Sequence, residues 1–148
     1  DTLDLIGQGV AGVGRQVAAE LLPTLSALAK EFLSSAANSG NLTTAANALS
    51  MINAAKAEGI TLTGSAFRSY DRQVQLRKSH CGSSDYAIYQ MSANSCRPPT
   101  AKPGNSMHEV GLAIDFSKYS FSWLSKNAGK YGFKNLPSES WHWSTNGS

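Results

Sequence analysis

Ser106-Met107-His108-Glu109-Val110-Gly111-Leu112-Ala113-Ile114-Asp115 and, further on, Glu139-Ser140-Trp141-His142 concentrate the chemistry of this chain. Residues 112–116 form an apolar run that carries an aspartate, which reads as a buried strand, and Trp141-His142-Trp143 reads as a final strand. Two imidazoles and a carboxylate make a good ligand set for Zn²⁺, which takes nitrogen and oxygen donors tetrahedrally and keeps a fourth position for water in catalytic sites. His108, Asp115 and His142 supply that set. Glu139 is left as a carboxylate close to the metal and able to take a proton. The same residues also read blandly, as a surface His108, a capping Asp115 and a His142 buried between two tryptophans. Spacing alone leaves both readings open.

Working back from this cluster, residues 80–105 are rich in Ser, Asn, Gly and Pro and hold both cysteines, Cys81 and Cys96. So long an irregular stretch is uncommon unless it is functional or tied down. A Cys81–Cys96 disulfide would close a loop of fourteen intervening residues, contribute about 3 kcal/mol and favour an oxidising compartment. A second zinc site from His80, Cys81 and Cys96 is the alternative, but it lacks a fourth ligand and the C-x-x-C spacing. Before the loop, a helix over 70–78 with Ser69 as its cap follows a strand over 60–63, where Ile60-Thr61-Leu62-Thr63 alternates. After the first cluster, 121–130 reads as an amphipathic helix stopped by Gly132.

The first sixty residues read as helices. Val10, Val13, Val17, Leu21, Leu25, Leu28 and Phe32 recur at steps of three or four, with Pro23 dividing the stripe. A second, Ala-rich helix over 44–58 has Thr43 or Thr44 as its cap and Gly59 past its end. This gives a helical N-terminal segment, 1–58, ahead of a domain over 59–148.

The whole chain has 148 residues, 41% hydrophobic and 16% charged, which suits a folded domain rather than a disordered one. No apolar run approaches the ~18 residues of a membrane span. The opening DTLDLIGQGV lacks a basic region followed by an apolar stretch, so no signal peptide is read there, and either a mature protein or a piece of a longer one is expected. Residues 1–58 carry three basic and five acidic side chains, residues 59–148 ten and five. A basic C-terminal part suits a polyanionic partner. Lys/Arg interleaved with aromatics is absent, which argues against nucleic acid; the anionic walls of many bacteria are the other candidate.

Ser106-x-His108-x-x-Gly111-x-Ala113-x-Asp115 followed by Glu139-x-Trp141-His142 resembles the signature of the zinc D-alanyl-D-alanine carboxypeptidases and related wall endopeptidases. Ser65-Ala66-Phe67-Arg68-Ser69 with Gln73 resembles the same family's Ser-Gly-Tyr-Arg-Ser segment and the glutamine after it. The resemblance covers about residues 60–145 and does not extend to 1–58. It implies one Zn²⁺ per chain on His108, Asp115 and His142, with Glu139 as general base and Arg68 as the cation facing the substrate carbonyl or carboxylate. Ser106, Gln73 and Trp141 are the implied substrate contacts, although Trp141 and Trp143 read first as core. Ala66 and Phe67 depart from the family's Gly and Tyr, which bears on substrate recognition and not on the metal.

The expected fold is therefore α+β: a small, mostly antiparallel sheet with flanking helices, as in D-Ala-D-Ala peptidases and hedgehog signalling domains, preceded by the helical segment. The expected function is metal-assisted hydrolysis of peptidoglycan stem peptides by an extracytoplasmic monomer or a domain of a longer protein. The rival is a non-catalytic zinc-binding wall-adhesion module, possible too within a phage-tail or secretion protein; the presence of Glu139 and Arg68, which a metal shell alone does not need, argues against it.

Overall fold

A computed structural model describes residues 27–38 and 40–148. The stripe positions Val10 to Leu25, with Pro23, lie outside the described residues. Helix α1 (Ala27–Asn38) and helix α2 (Leu42–Ala57) pack against each other. Strand β1 (Gly64–Ser65) leads to α3 (Tyr70–Cys81) and a short α4 (Asp85–Tyr89). Strand β2 (Ala113–Phe116), helix α5 (Phe121–Asn127) and the hairpin of β3 (Lys134–Leu136) and β4 (Glu139–Ser144) complete the chain.

The four strands form one antiparallel sheet in the order β1-β2-β4-β3. This is the α+β architecture expected. Its core joins Leu62, Ile114, Phe116, Trp123, Leu124, Phe133 and Trp143 with Leu28 and Ala29 of α1 and Ala45, Ala48, Met51, Ile52 and Ala55 of α2. The alanines of α2 explain the close fit. A helix face of small side chains approaches its neighbours closely, and Met51 and Ile52 fill what the alanines leave.

Three local signals act as the sequence predicts. The Ser69 hydroxyl accepts from the Arg72 amide at 3.2 Å and starts α3, which then runs one turn further than expected, to Cys81. The segment after α5 tightens into a 3₁₀ turn over Ala128–Tyr131 and stops at Gly132, whose φ of 80° is left-handed. Cys81 and Cys96 are disulfide-bonded, which removes the thiolates that a second zinc site would need.

Other expectations are corrected. Residues 60–63 do not pair as a strand. The ladder begins only at the next residue, with Gly64 opposite Phe116 and Ser65 opposite Asp115, and Thr63 only meets its end by accepting from the Ser117 amide at 2.8 Å. Alternation measured burial there: Leu62 is buried and its neighbours are not. Helix α2 begins at Leu42, and Asn41 at its start makes no side-chain cap; its amide instead donates to the Val110 carbonyl at 3.3 Å. The strand β3 had no sequence signal, because Lys134-Asn135-Leu136 is short and polar. The Asn135 side chain holds it by donating to the Glu139 and His142 carbonyls, both at 3.0 Å, across a register shift.

Candidate active site

The sheet register brings the two clusters together. Asp115 on β2 lies directly opposite His142 on β4, so both side chains project from one face of neighbouring strands. His108 reaches the same point from the turn before β2. In that turn the Ser106 hydroxyl accepts from the His108 amide at 3.3 Å, and the Glu109 carboxylate accepts from the Ser106 amide at 3.1 Å. The Ser106 and Glu109 side chains thus each hold a main-chain amide of the turn. Gly111, at φ 69°, closes the turn: its amide donates to His108, and that of Leu112 to the Met107 carbonyl at 2.9 Å.

His108 Nε2, His142 Nδ1 and Asp115 Oδ1 end 2.9–3.2 Å from one another. The far nitrogen of each ring is occupied by a main-chain oxygen: His108 Nδ1 by Ala66 at 2.6 Å, His142 Nε2 by Ser148 at 2.9 Å. A ring N–H that donates to a carbonyl leaves a lone pair on the other nitrogen. Two imidazole lone pairs and a carboxylate oxygen thus converge on one point, an arrangement that needs a cation or a proton among them. Tetrahedral bonds of ~2.0–2.1 Å would space the donors roughly 3.3–3.4 Å apart, close to the observed triangle. The donor set therefore fits a Zn²⁺ ion.

Electrostatics prepares the same atoms. Burial pushes the Asp115 carboxyl up, but its hydrogen bonds with His108 and His142 outweigh it and hold the group well below the usual carboxylate range. Burial pushes His142 down, and its hydrogen bonds to Asp115 and Ser148 more than restore it, so it is raised. Asp115 spends its second oxygen, Oδ2, on Arg68 Nη2 at 3.4 Å. Burial lowers the Arg68 pKa and Asp115 opposes the shift; a guanidinium stays charged either way.

An open cleft of about 280 Å³ lies over this cluster, and Arg68, Ser106, Glu139 and Trp141 are among its lining residues. Glu139 begins β4, and among the described residues no donor holds its carboxylate. Trp143 is core, as expected, whereas Trp141 is 42% exposed at the cleft wall because the irregular register at the start of β4 turns it outward. Gln73 is fully buried with both ends of its amide in use: Oε1 accepts from Arg68 Nη1 at 3.1 Å and Nε2 donates to the Ala101 carbonyl at 2.7 Å. It lines the cleft beside Arg68 and braces it.

Sequence reasoning missed Arg77. This guanidinium is fully buried, and its five N–H groups meet the carbonyls of Ile88, Thr100, Ala87 and Met91 and the sulfur of Cys96. Gln73, Arg77 and Cys81 recur every four residues along one face of α3, and all three fasten residues 87–101. That is how the irregular stretch is tied down, and its Pro98-Pro99-Thr100-Ala101 segment becomes a wall of the cleft. The signal was available: an arginine at the i+4 position between a glutamine and a cysteine.

Residues 38–148 match the family model VanY, D-alanyl-D-alanine carboxypeptidase. The match takes in α2, which the sequence resemblance did not reach. YodJ of Bacillus subtilis (strain 168), assigned as a carboxypeptidase, is 35% identical over 105 residues, covering 60% of this chain and 36% of that protein. The chain thus spans about a third of that relative's length. Among solved structures, VanYB in complex with D-alanine-D-alanine superposes with a TM-score of 0.55 at 22% identity, covering 70% of each chain. A variant of the vancomycin-resistance D,D-pentapeptidase VanY in complex with Zn(II) gives 0.52 at 22% identity, covering 68% of this chain and 69% of the other. At that identity the likeness is one of fold. On the family match over residues 38–148, the chain belongs to the VanY D-alanyl-D-alanine carboxypeptidase family.

Proposed function

We propose that this chain is a zinc-dependent peptidase that hydrolyses stem peptides of bacterial peptidoglycan, as a D-Ala-D-Ala carboxypeptidase or a closely related endopeptidase. One observation carries the reading: three lone-pair atoms, on His108, Asp115 and His142, converge at the floor of a cleft that also presents Arg68 and Glu139. They would hold one Zn²⁺ per chain. When bound, the ion supplies Lewis acidity and makes water a nucleophile at neutral pH.

The chain's own residues do the rest. Glu139, whose carboxylate has no donor among the described residues, accepts the proton of the attacking water and returns it to the departing amine. Arg68 is fixed by Gln73 on one nitrogen and Asp115 on the other, and its charge faces the cleft, where it binds the substrate carbonyl or terminal carboxylate. Ser106 and Trp141 line the path of the peptide. Gln73 acts through Arg68. The disulfide suits an extracytoplasmic site of action, and among the described residues no helix is long and apolar enough to cross a membrane.

Digestion of purified peptidoglycan with mass analysis of the released fragments tests activity and bond choice together. Zinc-loaded protein is expected to release D-alanine or shortened stem peptides, and chelator-treated protein to release neither. Intact wall after exposure to fully metallated protein would replace the peptidase by the wall-binding module.

A further inference from the structure

The peptide group between Ala66 and Phe67 is hydrogen-bonded at both ends. Its carbonyl accepts from His108 Nδ1 at 2.6 Å, and its N–H donates to Glu31 Oε1 at 3.0 Å. Glu31 lies on α1, before the residues that match the family model. An anion accepting from a peptide N–H polarises the whole unit and makes its carbonyl the stronger acceptor. The Ala66 oxygen then holds the Nδ1 proton more firmly. That fixes the ring's tautomer and plane and keeps the Nε2 lone pair turned toward Asp115 and His142. Neighbouring contacts restrain the same pieces: the Arg68 amide donates to the His108 carbonyl at 3.3 Å, and Asn41, just beyond α1, donates to the Val110 carbonyl at 3.3 Å.

We propose that Glu31 is a positioning residue for the His108 imidazole, acting through the Ala66–Phe67 peptide. The consequence for zinc rests on the metal reading above; the positioning itself does not. The helical segment ahead of the family match thereby becomes part of the site.

The test compares wild type, Glu31→Ala and Glu31→Gln in the full chain by three measurements: zinc affinity by competition with a chelating dye, the metal-free melting midpoint, and imidazole ¹⁵N–¹H spectra of metal-free protein. Removing a partner bonded directly to a ligand histidine typically costs roughly 10–100-fold in metal affinity; with a peptide intervening and an exposed carboxylate, Glu31→Ala is expected to cost about 3–10-fold. Glu31→Gln, which keeps an acceptor oxygen, should recover part of that loss, and the midpoint should barely move. The His108 Nδ1–H signal should be sharp in wild type and broadened in Glu31→Ala. Equal zinc affinity in all three proteins, or a loss that tracks the melting midpoint without recovery in Gln, overturns the proposal. Should wild type take up no zinc, the metal reading fails, and the His108 signal alone decides: unchanged in Glu31→Ala, it removes the positioning role as well.

Discussion

Glu109 and Glu139 are the two glutamates beside the cluster, and their surroundings assign them different work. Glu109 accepts from the Gly104 amide at 3.0 Å and the Ser106 amide at 3.1 Å, so its lone pairs are committed to shaping the turn that carries His108. Glu139 lines the cleft, and among the described residues no donor holds its carboxylate. In the mechanism proposed above, it is the second that takes the proton. Replacing Glu139 with Gln keeps shape and reach but not basicity, so turnover on wall peptides should fall by roughly 10²–10⁴-fold. Zinc content and peptide affinity should stay near wild type, because the three ligand atoms and Arg68 are untouched. Metal analysis beside steady-state kinetics checks this, and undiminished turnover with zinc bound would take Glu139 out of the mechanism.

Between elements, β1 approaches β2 closely at Gly64. A Cβ there would lie 2.0 Å from the Asp115 carbonyl oxygen and 2.9 Å from its carbon, both main-chain atoms that have nowhere to go. Gly64→Ala must therefore push β1 off β2 at the register position beside Asp115, a candidate metal ligand. A loss of about 2 kcal/mol or more is expected by denaturant titration, with zinc affinity falling alongside it. Stability within a few tenths of a kcal/mol of wild type would show that β1 moves freely. Helix α3 sets the opposite wall through Arg77. Replacing Arg77 with Met, which roughly fills the space, leaves several buried carbonyls unpaired, and the cost should be about 3 kcal/mol or more. Kinetically, the loosened 98–101 wall should raise KM more than it lowers kcat, since no reacting group has moved.

At the scale of the molecule, the two N-terminal helices are built into the core that carries the sheet. Leu28, Ala29, Ala45, Ala48, Met51, Ile52 and Ala55 belong to one buried cluster with Ile114, Phe116, Trp123, Leu124 and Trp143. A fragment of residues 59–148 would expose Ile114, Phe116 and Trp143 on that side, and at ninety residues it has little core to spare. It is expected to lack a cooperative thermal transition, or to melt far below the full chain, when followed by circular dichroism. A sharp transition near that of the full chain would show that the helices are dispensable for folding.

Much of this was legible in the sequence because it depends on short-range chemistry. The apolar run ending in Asp115, the Ser69 cap, the Gly132 stop and the two cysteines each state a local preference that the tertiary structure had no reason to override. The residues of the candidate site were legible for the same reason, as His, Asp and Glu in an otherwise acid-poor half. Other features follow from contacts that no local pattern encodes. Where β1 begins depends on how closely Gly64 can approach Asp115, and β3 exists because Asn135 finds carbonyls on β4. Trp141 faces the cleft because of a register shift. Gln73 braces Arg68, and Glu31 reaches the peptide behind His108, only once elements distant in sequence have docked. The sequence by itself determined the α+β class and the candidate ligand set, through residue types and period. Tertiary packing alone decided which side chains face the cleft and which stand behind it, because that choice is made by hydrogen-bond partners and close approaches far apart along the chain.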